Sequence, residues 1–252
     1  MCRHLAYLGP PVALSRLLFD APHALAVQSW APRDMRGGGT VNADGFGVGW
    51  YPAPGAAPRR YRRDRPLWSD PDLPQLAADT TAPAVLAAVR SATPGMPLGA
   101  AACAPFAGHG ALFSLNGRIA GWPDSVAKLA ERLPVTDLLT MEAPTDSALV
   151  WALVRRRLDA GEPAPTAVAA TVAEVATAAP GSRLNLLLTD GRAVVATTWT
   201  HSLSVRHDQR SVLVSSEPLD DDPAWRPVPD GSVVVATAAA VDVSPLPEGA
   251  VP

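Results

Sequence analysis

The order of elements along the chain predicts an α+β fold with mainly antiparallel sheets, and three observations carry that prediction. Strand-like runs dominate up to Leu115, helical spacing takes over from Trp122 to Ala178, and strand-like runs return from Leu184 to Thr237. Thr189-Asp190-Gly191 joins two apolar runs, and Asp-Gly supplies the positive φ that a tight hairpin needs. No internal repeat and no linker divides the sequence, so one domain over residues 2–252 is expected, with Met1 removed.

Residues 2–8 alternate like a buried strand, and Val12 to Phe19 reads as a short helix with a mixed face. Residues 28–45, rich in glycine and polar residues and including Gly37-Gly38-Gly39, read as a loop. Phe46 to Tyr51 is apolar and glycine-spaced, which predicts a core strand closely approached by another segment. Residues 52–66 combine prolines with Arg59, Arg60, Arg62, Arg63 and Arg65, and read as a solvated hairpin or loop. Val85 to Arg90 and Gly110 to Leu115 are strands. Trp122 to Arg132, Asp146 to Ala160 and Ala164 to Ala178 are helices. Leu184 to Leu188, Ala193 to Thr200, Val212 to Ser215 and Ser232 to Thr237 complete the strands, and the proline-rich C-terminus reads as a surface tail.

Composition excludes several function classes. Apolar residues at 48% and charged residues at 18% describe a globular chain, and a net charge of −3 gives no general attraction to nucleic acid or anionic membrane. No run of about 18 apolar residues is present, and the opening is broken by Gly9-Pro10-Pro11, so neither a membrane span nor a signal peptide is expected. Two cysteines, Cys2 and Cys103, make no disulfide framework and suit a reducing cytoplasm. The five histidines have no ligand spacing, so neither a metal nor an organic cofactor is expected.

Cys2 follows a single Met1, and cysteine is small enough for aminopeptidase removal of the initiator. A thiol and a free α-amine would then share one residue. Such an amine has a reference pKa of about 7.7–8.0, so it can serve as the residue's own general base. The alternative is a buried, inert thiol.

Four further segments each carry two readings. Asn42-Ala43-Asp44-Gly45-Phe46-Gly47-Val48-Gly49-Trp50 is either a tight loop entering a strand or a backbone that lets a ligand approach. In Ala88-Val89-Arg90-Ser91-Ala92-Thr93-Pro94-Gly95, Arg90 can grip a carboxylate with its planar fork or form an ordinary surface ion pair. Asn116 and Gly117 offer two fixed donors for a tetrahedral oxyanion, yet Asn-Gly is also the commonest hairpin turn. In Pro144-Thr145-Asp146-Ser147, Asp146 can bind an ammonium, or Thr145 or Asp146 can cap the helix that follows.

Taken in chain order with Cys2, these segments resemble the class II (N-terminal nucleophile) glutamine amidotransferase domain. The resemblance covers residues 2 to about 150, together with Ser215-Ser216-Glu217-Pro218. It implies a four-layer αββα sandwich of the N-terminal nucleophile hydrolase type, with two mainly antiparallel sheets between helical layers. It also implies Cys2 as nucleophile, Asn116 and Gly117 as the oxyanion hole, Arg90 and Thr93 on the α-carboxylate of a glutamyl group, and Asp146 on its α-amine. The family often has an aromatic residue after the arginine and His before Gly, where this chain has Ser91 and Pro94. Where members often show Asn-x-His-Pro-Phe, this chain has Ala101-Ala102-Cys103-Ala104-Pro105-Phe106, and Cys103 reads as a structural thiol.

The implied reaction is two-step acyl transfer from a γ-glutamyl amide to Cys2 and then to water. The wording of the segments opening at Cys2, Asn42 and Ser215 is similar to a stand-alone branch of the family that hydrolyses a small γ-glutamyl substrate and lacks a synthase domain. In that branch the leaving half carries a trimethylammonium group, for which Trp30, Trp50 and Tyr51 are candidate aromatic faces or ordinary core residues. Two other readings stand beside it. A free-standing glutaminase subunit would hydrolyse glutamine rapidly, and a glutamyl-binding module would bind without turnover. The oligomeric state is not legible.

Overall fold

The computed structural model describes residues 2–36 and 41–246. The strands are β1 (Arg3–Ala13), β2 (Phe46–Tyr51), β3 (Arg59–Arg63), β4 (Thr81–Val89), β5 (Phe106–Gly108), β6 (Ala111–Arg118), β7 (Arg183–Thr189), β8 (Val194–Thr198), β9 (Ser204–His207), β10 (Val212–Ser215), β11 (Arg226–Pro227), β12 (Ser232–Ala236) and β13 (Val241–Pro245). The helices are α1 (Leu25–Trp30), α2 (Leu73–Asp79), α3 (Ala127–Ala130), α4 (Val135–Leu139), α5 (Asp146–Asp159) and α6 (Ala164–Ala178).

Two antiparallel sheets result, one of seven strands ordered β11-β9-β10-β1-β4-β2-β3 and one of six ordered β13-β12-β8-β7-β6-β5. Helices α5 and α6 cover the outer face of the six-stranded sheet through Phe113, Leu115, Trp151, Val168, Leu186 and Leu188. Leu5, Leu14, Leu25, Phe46, Leu73 and Val89 bury the outer face of the other sheet under α1 and α2. The inner faces meet through Ala6, Leu8, Leu112, Leu187, Val214 and Val234. The layers are therefore helix, sheet, sheet, helix, as the family resemblance implied.

Strand alternation makes this sandwich a site as well as a core. Along β1, Leu5 and Tyr7 face the helices, whereas His4, Ala6 and Leu8 face the second sheet. Between the sheets the side chains change from apolar at Ala6, Leu8, Leu112 and Leu187 to polar at His4, Ser114, Asn116, Asn185 and Ser216. Buried polar groups need partners, so a polar end to an apolar layer marks where the sandwich opens to chemistry.

Several local expectations are corrected. β1 continues to Ala13, so the helix expected over Val12 to Phe19 starts later, at Leu14, and is π-helical over Arg16–Asp20. The expected loop over residues 28–45 begins inside α1, and Gly37-Gly38-Gly39 lie outside the described residues. Of the two readings of residues 52–66, the hairpin holds: Arg59–Arg63 is the edge strand β3, antiparallel to β2, where arginines blunt edge pairing. The expected helix Trp122 to Arg132 is a 3-10 turn at Asp124–Val126 followed by the single turn α3. Part of the expected C-terminal tail is β13, and residues beyond Leu246 are not described.

Candidate active site

The antiparallel register of β1 and β4 sets Arg3 opposite Val89, so one further step puts Cys2 beside Arg90. Cys2 Sγ lies 3.8 Å from Ser91 O and is partly exposed. Arg90 N donates to Gly45 O at 2.7 Å, and Asp44 N donates to Arg90 O at 3.0 Å, which aligns the entry to β2 with the same sheet end. A cavity there is lined by Cys2, Arg90, Cys103, Ser114, Leu115 and Ser147.

The glycine spacing of β2 has the predicted cause. A Cβ at Gly47 would stand 2.2 Å from Ala104 O, and one at Gly49 would stand 2.7 Å from Leu112 Cδ1. A Cβ at Gly45 would meet Cys103 Sγ at 2.3 Å, so the segment carrying Cys103 seats directly on these glycines. Cys103 is buried, and burial pushes its thiol up to about 11, which is the inert structural role expected.

Asn116-Gly117 is not a hairpin turn. Both residues lie within β6, with Asn116 opposite Asn185 and Gly117 opposite Leu184 on β7. Glycine is required because a Cβ at 117 would stand 1.9 Å from Arg183 O. Asn116 is fully buried, and its Nδ2 donates to Ser216 Oγ at 3.4 Å.

Thr145 rather than Asp146 caps α5, accepting from Ala148 N at 3.2 Å. The Asp146 carboxylate is buried, with Oδ2 accepting from Ile119 N at 3.1 Å and Oδ1 from Ser147 N at 2.7 Å. Burial raises its pKa above the ordinary aspartate range, although those two amides and the charge of Arg90 pull the other way. Arg90 Nη1 and Asn116 Oδ1 are buried without a hydrogen-bond partner among the described residues. A buried guanidinium nitrogen left unpaired is costly, and an anionic ligand would complete it.

The structure thus brings Cys2, Arg90, Asn116, Gly117 and Asp146 to one end of the sandwich. Thr93 lies on an adjoining cleft with Met96, Arg118, Ile119 and Trp122. Two of the aromatic candidates are not at the site: Tyr51 is buried and donates to Thr189 O at 2.8 Å, and Trp50 is opposite Val85, toward the far end of β4 from Arg90. Trp30 is exposed at the C-terminal end of α1.

The roles of several supporting residues escaped sequence reasoning, although their segments were marked. Asp44 Oδ2 accepts from Ala92 N at 2.8 Å and fixes the backbone after Arg90. Its one signal was a carboxylate placed just before Gly45. Ser216 Oγ accepts from His4 N at 3.0 Å, and Ser216 N donates to His4 O at 2.9 Å, so the 215–218 segment holds the strand that carries Cys2. Glu217 accepts from Arg3 Nη2 at 3.0 Å, His23 Nε2 at 2.7 Å, Arg33 N at 2.8 Å and Asp34 N at 3.1 Å. Burial opposes ionisation of Glu217, but these donors outweigh it and hold its carboxyl below the usual glutamate range.

An antiparallel sandwich with a cysteine at position 2 beside an arginine, an Asn-Gly pair and a buried aspartate defines a class of protein. Residues 14–208 match the family described as glutamine amidotransferases class-II, and the chain belongs to it. Among curated proteins it is 44% identical over 249 residues to the gamma-glutamyl-hercynylcysteine sulfoxide hydrolase of Mycolicibacterium smegmatis, covering 98% of this chain and 100% of the relative. It is 38% identical to the protein of the same name from Mycobacterium tuberculosis, covering 98% of this chain and 97% of the relative. Among solved structures, a glutamine aminotransferase class-II domain protein from Silicibacter pomeroyi superposes with a TM-score of 0.70 at 22% identity, covering 98% of this chain and all of that one. That likeness bears on the fold.

Proposed function

We propose that this protein hydrolyses γ-glutamyl-hercynylcysteine sulfoxide to glutamate and hercynylcysteine sulfoxide, a step of ergothioneine biosynthesis. The observation that carries the reading is the full-length 44% identity to a hydrolase of that name. The site chemistry supports it independently.

With Met1 removed, the Cys2 amine takes the thiol proton, directly or through water, and the sulfur attacks the γ-carbonyl. Asn116 Nδ2 and Gly117 N donate to the oxygen as it becomes an oxyanion, where fixed donors in a dry site act most strongly. The amine leaves with a proton, and water hydrolyses the thioester with the same amine as base. Arg90, with Thr93 at the adjoining rim, holds the α-carboxylate, and Asp146 holds the α-ammonium. These two grips on one glutamyl group fix the carbonyl in place for attack. The residues from Cys2 onward act as one catalytic unit on a small-molecule substrate. Two unpaired cysteines suit a reducing compartment such as the cytoplasm. Among the described residues no helix is long and apolar enough to cross a membrane.

The test is turnover of glutamine against turnover of γ-glutamyl-hercynylcysteine sulfoxide. Preference for the sulfoxide by about a hundredfold or more in kcat/KM is expected. Equal or faster glutamine hydrolysis would instead establish an ammonia-producing glutaminase.

A further inference from the structure

Arg118 follows the oxyanion pair and projects from the same face of β6 as Asn116, because side chains alternate along a strand. It is exposed and has no ion-pair partner among the described residues. With Thr93, Met96, Ile119 and Trp122 it lines a cleft of about 420 Å³ beside the Cys2 cavity. A second arginine, Arg183, sits directly opposite it on β7. Two arginines in that relationship make this edge of the site locally positive, and Arg183 has contacts of its own. Arg183 Nη1 reaches Arg36 O at 3.4 Å, bringing a third arginine to the same rim. The Arg36 guanidinium is matched by Asp34 at 3.2 Å, whereas Arg118 has no such match.

We propose that Arg118 is a specificity-determining residue that receives a carboxylate carried by the leaving amine. The enzyme is thereby selective for γ-glutamyl derivatives of an amino acid over those of a simple amine. The assignment rests on the γ-glutamyl hydrolase reading and extends it to the other half of the substrate. In an amino-acid derivative the carboxylate is on the carbon bonded to the scissile nitrogen, about 3–4 Å from the reacting carbonyl carbon. Arg118 Cα is two residues, or about 7 Å, along β6 from Asn116 Cα, a gap that a guanidinium on a three-carbon stem spans. The planar fork accepts such a carboxylate through two parallel hydrogen bonds. Ammonia leaving from glutamine offers nothing to this group. The opposing wall of the cleft, with Met96 and Trp122, remains for the rest of the leaving half.

The experiment is a competition in one vessel between γ-glutamyl-hercynylcysteine sulfoxide and its analogue with the cysteinyl carboxylate converted to a carboxamide. The ratio of kcat/KM values is independent of how much of a variant is folded. Native enzyme is expected to favour the carboxylate by about 10–100-fold, the range of one charge-assisted contact. Arg118→Gln should bring the ratio to within about twofold of unity, and Arg118→Lys should keep part of the preference. A native enzyme without preference, or an Arg118→Gln variant that keeps the native ratio, overturns the assignment while leaving the hydrolase reading intact. Failure of the native enzyme to cleave either compound removes the hydrolase reading, and this assignment with it.

Discussion

Asn116 Nδ2 donates to Ser216 Oγ at 3.4 Å across the gap between the sheets, and this contact sets which end of the amide faces the hydroxyl. Ser216 Oγ gives its one hydrogen to His4 O at 3.2 Å and accepts from His4 N at 3.0 Å. It can therefore only accept from Asn116, which must present its NH2 group. The second N–H of that group is left for an oxyanion. Ser216→Ala should lower kcat by about tenfold with a smaller change in KM, since the amide loses its anchor but the glutamyl grips remain. Steady-state kinetics on the γ-glutamyl substrate checks this, and an unchanged kcat would show that Asn116 needs no such anchor.

Gly117→Ala tests the close pass of β6 and β7. The added Cβ meets backbone, Arg183 O at 1.9 Å, which cannot swing aside as a side chain can. Displacing Gly117 moves the proposed oxyanion N–H, so kcat should fall by about a hundredfold or more. Thermal unfolding measured on the same sample should show a lowered Tm.

Glu217→Ala removes the carboxylate shared by Arg3, His23 and the Arg33 and Asp34 amides. Arg3 has a side-chain exposure of only 1%, so it would remain as an uncompensated buried charge. Losing one partner of such a pair costs about 3–5 kcal/mol. A drop in Tm of about 10 °C is expected at roughly 2–4 °C per kcal/mol. An unshifted Tm would show that the Arg3 charge finds water.

Stability should depend on pH through two histidines. Burial, with His201 and Arg3 nearby, pushes the His4 imidazole down to about 3; burial, with Arg183 and Arg3 nearby, does the same to His201. The unfolded chain takes up these protons near the ordinary value of about 6.5, whereas the folded chain refuses them until about 3. Their contribution is therefore complete above pH 6.5 and is lost as pH falls through that window. Each ring contributes a slope of up to about 1.4 kcal/mol per pH unit. Urea unfolding at pH 7, 6 and 5 should show the loss, and His201→Asn should remove about half of the slope. A pH-independent midpoint over this range would contradict it.

What was legible in the sequence followed from local chemistry. Glycine spacing in Phe46 to Tyr51 foretold a close approach, and Ala104 and Leu112 supply it. Thr145-Asp146 could be read as cap and free carboxylate in either order, because both side chains suit an N-terminus; the Thr145 contact to Ala148 N decides it. Asn116-Gly117 read equally well as a turn, since only pairing with the distant β7 shows the chain continuing straight through it. The stretch holding β3 read as hairpin or loop alike, because arginine-rich residues suit a solvated loop and a sheet edge equally; pairing with β2 decides for the hairpin. The segment of Glu217 was marked by the resemblance but its role was not legible, as its four donors come from three separate stretches of chain. Two of the aromatic candidates failed for a related reason: sequence proximity to Gly49 gave Trp50 and Tyr51 no proximity to Cys2.

The most direct test of the account treats the protein with 6-diazo-5-oxo-L-norleucine, an electrophilic glutamine mimic, and maps the adduct by mass spectrometry. The account predicts a single covalent adduct on the sulfur of Cys2, on a chain whose intact mass lacks Met1. An adduct on Cys103 instead, or turnover that persists in Cys2→Ala, would contradict it.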